Sequence, residues 1–446
     1  MTSTATRGWQ EAELLQALIR NACVNDGTLE SGQEIRNATV LRDFMDGTPG
    51  FQSTFIEPAP GRTNLVGRWE GDSDGPTLAL LAHTDVVPAD PNGWDVDPFA
   101  GVLRDGMVFG RGAVDMLNLG ASMAAAIKTL AAEGFRPKGT VLYLAVADEE
   151  GGGRFGTGYL TTERIDEVRA DYVLTEWGGV RHSRDGRPQF AMITGEKGVA
   201  WIRARVAGKQ AHGSRPYRAD NPIVSTGRLI EHLTSSGVTV TVTPEWRRLV
   251  TRLDLDDATR TALLTPDLVD SALPDLDPPF DAFAHALTRM TFSPTVINAG
   301  IKVNVIPDSV DLQLDVRTLP GQTTDEVLEF LREAATTLGI SVKFELFNES
   351  VANSSSIETP LWEAMEKAVA KLVPGGTCLP AVTTGGNDAR FYRALGTVAY
   401  GGGLLSERFA LDTFIGAFHG PNERIDLESL ALSTEFFRAV ILDLLG

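Results

Sequence analysis

Three short apolar runs, each followed by histidine or carboxylate, constrain this chain more than any other feature. TLALL at residues 77–81, VLYLAVA at 141–147 and YVL at 172–174 read as buried strands, with an Ala-rich helix over 119–132 between the first two. Strands alternating with helices predict an α/β layer with a mostly parallel sheet. Ligands bind such sheets beyond the carboxyl ends of the strands. There the sequence places His83 and Asp85 after the first run, Asp148, Glu149 and Glu150 after the second, and Glu176 after the third. Asp115 stands in GRGAVDM just before the Ala-rich helix, and His419 stands in FHGPNERI near the C-terminus.

Imidazole and carboxylate are the ligands of zinc and similar divalent ions, and one shared Asp can bridge two of them. Taken singly, a strand-end acid is usually a turn residue or a helix cap. A lone histidine usually packs or faces solvent, and His182, His232 and His285 are read that way. Acids and histidines at successive strand ends point instead to a common site. Three acids in a row, as in DEE, are also costly inside a protein unless cations neutralise them.

The remaining composition sets limits. At 446 residues the chain predicts two domains. A net charge of −19 argues against nucleic acid or an anionic membrane as partner. The opening MTSTATRGWQ shows no signal-like apolar core, and no run reaches membrane-spanning length. Cys23 and Cys378 are far apart and read as reduced, so a cytoplasmic protein is expected. Gly151, Gly153 and Gly156 spell GxGxxG after a strand, with Glu176 further on, which suggests a dinucleotide-binding oxidoreductase as a rival. Glu149 and Glu150 beside those glycines would repel a pyrophosphate.

From about residue 197 the pattern changes. VAWIRARV at 199–206 and VDLQLDVRT at 310–318 alternate apolar and polar, as half-exposed strands do, with helices over 221–233 and 324–337. These predict a separate α+β domain inserted into the first. Residues 244–279 form a charged, Leu- and Pro-rich excursion within it.

HTDVVPA at 83–89, GRGAVDM at 110–116, ADEEGGG at 147–153 and FHGPNERI at 418–425 together resemble one family. It is the dinuclear zinc metallohydrolases of aminoacylase, carboxypeptidase G, acetylornithine deacetylase and succinyl-diaminopimelate desuccinylase. WDVDPF and its surroundings are most similar to the carboxypeptidase S-like and N-acyl-amino-acid hydrolase branch. The resemblance implies an αβα sandwich, zinc-aminopeptidase-like, from residues 1–196 and 355–446. A ferredoxin-like lid and dimerisation domain would span 197–354.

It also implies site roles. His83 and Glu176 would hold one metal, Glu150 and His419 the other, and Asp115 would bridge them across a cis Asp115–Met116 peptide. Two divalent ions are expected, zinc foremost, with cobalt or manganese as alternatives. Asp85 would orient His83, and Glu149 would act as general base. His212 in KQAHGSRP would stabilise the oxyanion, often from the partner subunit of a homodimer. Asn304, Arg317 and the backbone of Gly385 and Gly386 would bind substrate. Trp177, where the family has a small or acidic residue, either walls the substrate pocket or alters the ligand geometry. The 244–279 excursion either extends the dimer interface or covers it. The expected activity is hydrolysis of a peptide or N-acyl amino acid bearing a free carboxylate, with a non-catalytic metal-binding homologue as the alternative.

Overall fold

The computed structural model describes residues 8–182, 187–235, 238–409 and 411–446. The first seven residues, part of the stretch read for an export signal, lie outside them.

The central sheet has six strands in the order Phe51–Ala59, Arg62–Glu70, Lys138–Val146, Ser73–His83, Tyr172–Thr175 and Val398–Gly401. The last four run parallel, and the first two form an antiparallel hairpin at one edge. Leu78, Ala79, Leu80, Leu81, Leu142 and Leu144 are fully buried because helices cover both faces. Leu117–Ala132 and Leu427–Leu445 pack on one face, while Leu160, Ala389 and Tyr392 from short helices cover the other. The Ala-rich helix sits close because its residues are small: a Cβ on Gly120 would lie 3.3 Å from that of Ala82. Register does the rest. His83 pairs with Val146 and Gly401 with Thr175, so the loops carrying His83, Glu149 and Glu176 leave the sheet at one edge.

The second unit is a four-stranded antiparallel sheet, Thr291–Ala299, Ser309–Thr318, Gly198–Ala207 and Val342–Ser350. With helices Pro222–Ser235 and Thr324–Leu338 the chain order is strand, helix, strand, strand, helix, strand. This is the ferredoxin-like arrangement. Alternate residues Ala200, Ile202, Ala204 and Val206 turn inward onto Leu229 and Leu331, which is why the sequence alternates.

The excursion behaves differently from the lid around it. Helices Pro244–Arg252, Asp257–Leu263, Pro266–Ala272 and Phe280–Leu287 gather Trp246, Leu249, Val250 and Leu263 onto Leu379 and Val382. Those last two residues belong to strand Thr377–Thr383, which pairs with Gln189–Glu196 in a further sheet of the α/β unit. Lys197 marks the crossing between units: its buried ammonium donates to the carbonyls of Ala286 and Arg289 at 2.6 and 2.8 Å. Lys197 thereby caps the carboxyl end of an excursion helix.

Candidate metal centre

Four carboxylates and two imidazoles converge at the sheet edge. Asp115 lies between the histidines, with Oδ1 3.0 Å from His83 Nε2 and Oδ2 2.8 Å from His419 Nε2. Glu176 Oε2 is 3.7 Å from His83 Nε2, and Glu150 Oε1 is 3.4 Å from His419 Nε2. Ligand atoms of His83, Asp115 and Glu150 come within 4.8 Å of one another, as do those of His83, Glu149 and Glu176. Glu149 therefore stands among the ligand groups rather than behind them. The Asp115–Met116 peptide is cis.

Electrostatics test whether these groups suit metal ions. Among the described residues, no Lys or Arg forms an ion pair with Asp115, Glu149, Glu150 or Glu176. Burial, and then the neighbouring acids, push Glu176 up to about 8 and Glu149 well above the carboxylate range. Burial works to lower His419, but Asp115 and Glu150 more than offset it and raise the imidazole to about 10. Glu150 Oε1 is shut off from solvent and accepts no hydrogen bond among the described residues. Such a set is frustrated by itself and satisfied by cations, so the residues fit divalent metals.

Around this cluster, backbone contacts set the positions. His83 Nδ1 lies 3.0 Å from the carbonyl oxygen of Asp85, while the Asp85 carboxylate is 3.7 Å away. The sequence expectation gave this contact to the carboxylate; the carbonyl makes it instead. The carboxylate accepts from the N–H groups of Glu149 and Glu150 at 3.2 and 3.1 Å, and from Asn25 at 2.8 Å. Asp85 thus positions Glu149 and Glu150 as well as His83.

Three ion pairs, made by two buried arginines, escaped the sequence reading. Arg62 is fully buried and pairs with Glu34 at 3.0 Å and Asp148 at 2.6 Å, pinning the first acid of DEE away from the metal groups. Glu423 accepts from the N–H of Val114 at 2.7 Å and of Asp115 at 3.1 Å, and from Arg111 at 2.6 Å. Arg111 also donates to the carbonyl of His419 at 3.1 Å. One buried pair therefore positions the backbone of both Asp115 and His419. The signal was present, since Arg111 and Glu423 each sit inside a quoted motif, GRGAVDM and FHGPNERI.

The lid residues are not part of the buried cluster. His212 and Asn304 are exposed on a two-stranded ribbon, Ala211–His212 with Val305–Ile306. His212 Nδ1 lies 2.8 Å from the Ser214 hydroxyl. Arg317 pairs with both oxygens of Asp315, at 2.7 and 3.1 Å, and reaches the carbonyl of Thr384 at 3.3 Å. Gly385 N–H, expected to face substrate, donates to the Thr383 hydroxyl at 3.2 Å.

The family model described as Peptidase family M20/M25/M40 matches residues 79–443, which include every residue of this centre. The chain belongs to that family. An N-fatty-acyl-amino acid synthase/hydrolase, PM20D1 of Xenopus tropicalis, is 27% identical over 97% of this chain and 86% of its own length. A succinyl-diaminopimelate desuccinylase of Cereibacter sphaeroides is 30% identical over 77% of this chain and 80% of its own. The M20 family metallo-carboxypeptidase Sso-CP2 of Sulfolobus solfataricus superposes with a TM-score of 0.74 at 20% identity, covering 98% and 99% of the two chains. The protein is a hydrolytic enzyme of the M20 metallopeptidase and amidohydrolase type. Membership disposes of the dinucleotide reading, and geometry says what the glycines do. A Cβ on Gly156 would come within 1.8 Å of the Ala147 carbonyl, and Gly153 N–H closes onto Asp148. They fold the DEE loop tightly back. Among the described residues no helix is long and apolar enough to cross a membrane.

Proposed function

We propose that the protein hydrolyses the amide bond of a peptide or N-acyl amino acid whose amino-acid end carries a free carboxylate. The observation that carries this reading is Glu149, an acid drawn in among His83 and Glu176 that a structural metal site would not need. His83 and Glu176 form one ligand set and Glu150 and His419 the other, with Asp115 between them. Two divalent metals, zinc foremost, would polarise the scissile carbonyl and acidify a water there. Glu149 takes the proton of the attacking water and delivers it to the leaving nitrogen.

Arg317 spans from the lid sheet to Thr384, beside the loop holding Gly385 and Gly386, where the substrate carboxylate docks in this reading. His212 and Asn304 on their exposed ribbon serve the oxyanion and the substrate from a partner subunit. A homodimer through the lid suits the surface, where Val296 and Ile297 on the edge strand and Ile223 and Val224 on the helix are exposed. The domains divide at 197 and 355. Two buried free cysteines agree with a reducing, cytoplasmic setting.

The test is hydrolysis of a panel of dipeptides and N-acyl amino acids, with chelator and then with zinc restored. Cleavage abolished by chelator and recovered with zinc is expected. Cleavage indifferent to chelator, or none with metal loaded, rejects the reading.

A further inference from the structure

Beyond Trp177 the α/β unit and the excursion helices line a partly open pocket of about 100 Å³. Leu253, Phe280 and Phe283 from the excursion face Ala381, Phe414 and Ile415 across it. Apart from the Trp177 indole nitrogen, only His182 and Thr383 among the described residues bring polar side-chain atoms to its walls.

Three features tie this cavity to the metal centre. Trp177 directly follows Glu176. Its ring lies 4.3 Å from that of Phe418, which directly precedes His419. Thr383 opens the loop that leads to Gly385 and Gly386. Trp177 also holds a φ of 65°, a left-handed conformation that bulky residues rarely adopt and that clusters at functional sites. The glycines after it explain how the backbone permits this. Gly178 and Gly179 cross Gly401 and Gly403 so closely that added Cβ atoms would lie 2.5 and 2.3 Å from backbone carbons.

We propose that this chamber receives the hydrocarbon part of the substrate's acyl group, an inference that rests on the amide-hydrolase reading above. A wall of this composition disfavours charge and unpaired polar groups, so the carboxylate end of the substrate does not enter it. The amino-acid end is accounted for by Arg317 and the Thr384 loop, which leaves the acyl end for the chamber. Its volume is below the about 150 Å³ of an apolar cavity that accommodates benzene, so about four carbons fill it. Each methylene buried there contributes about fourfold to kcat/KM until the chamber is full.

The experiment is a series of N-acyl derivatives of one amino acid, from acetyl to decanoyl, on the metal-loaded enzyme. kcat/KM rises about fourfold per methylene to about hexanoyl and then flattens. Ala381→Leu moves the break to shorter chains, and Phe283→Ala moves it to longer ones. A flat series, a break unmoved by either variant, or a preference that follows the amino-acid side chain overturns the inference while leaving the hydrolase reading intact. Should no derivative be cleaved, that reading fails, and calorimetric binding of hexanoate against acetate tests the chamber alone. Hexanoate binding at least about tenfold tighter, with the advantage lost in Ala381→Leu, supports it. Equal binding of the two acids overturns it.

Discussion

Two clusters of buried acid share the DEE loop that follows Lys138–Val146, and they are neutralised by opposite means. Glu34 and Asp148 share the Arg62 guanidinium, and Asp148 accepts further bonds from Asn25 and the Phe155 N–H. One residue further along the loop, Glu149 and Glu150 join Asp115 and Glu176 around imidazoles alone. The first cluster is complete as protein and fixes the loop. The second is complete only with cations, which is what makes it a reactive site rather than a brace. Adjacent residues in one DEE motif therefore do different work because one has a guanidinium within reach and the others do not.

The comparison can be broken most directly at Glu149. Glu149→Gln should keep two metals per chain by elemental analysis and lose about 10²–10⁴-fold in turnover. Unchanged turnover would make Glu149 another brace. Next comes Arg62→Met, which strands Glu34 and Asp148 and should cost about 3–5 kcal/mol in denaturant unfolding. Recovery of that loss on adding zinc would mean that the clusters are one electrostatic unit. Smallest is Glu423→Gln, which weakens the clamp on Asp115 and should loosen metal binding about tenfold, read by chelator competition. Metal affinity equal to that of the parent would confine Glu423 to shaping the loop.

Much of this was legible before any coordinates, and the reason is local. Acids and histidines at strand ends are set by where an apolar run stops, and that point is written in the residues themselves: His83, Glu150 and Glu176 each lie within four residues of one. The lid was legible because alternation in 199–206 and 310–318 reports one-sided burial directly. Pairings over long separations were not. Arg62 with Asp148 and Arg111 with Glu423 join residues whose closeness depends on the whole sheet order. The excursion was opaque for a related reason. An amphipathic helix declares that it has an apolar face, not whose surface that face will meet, and Trp246 and Leu249 turned to the α/β unit. At Asp85 the residue was foreseen but the atom was not, since carbonyl and carboxylate of one residue compete on distances of under 1 Å.

The Arg111–Glu423 clamp has a consequence for timing. It joins a segment made early in synthesis to one made late, and His419 arrives with the same late segment. The central sheet likewise waits for Val398–Gly401 to complete its edge. A nascent chain carrying His83, Asp115 and the DEE loop already has most of the proposed ligands but lacks both the second imidazole and the pair that aligns it. The cluster can therefore be assembled in full only after residues 419–423 have been made.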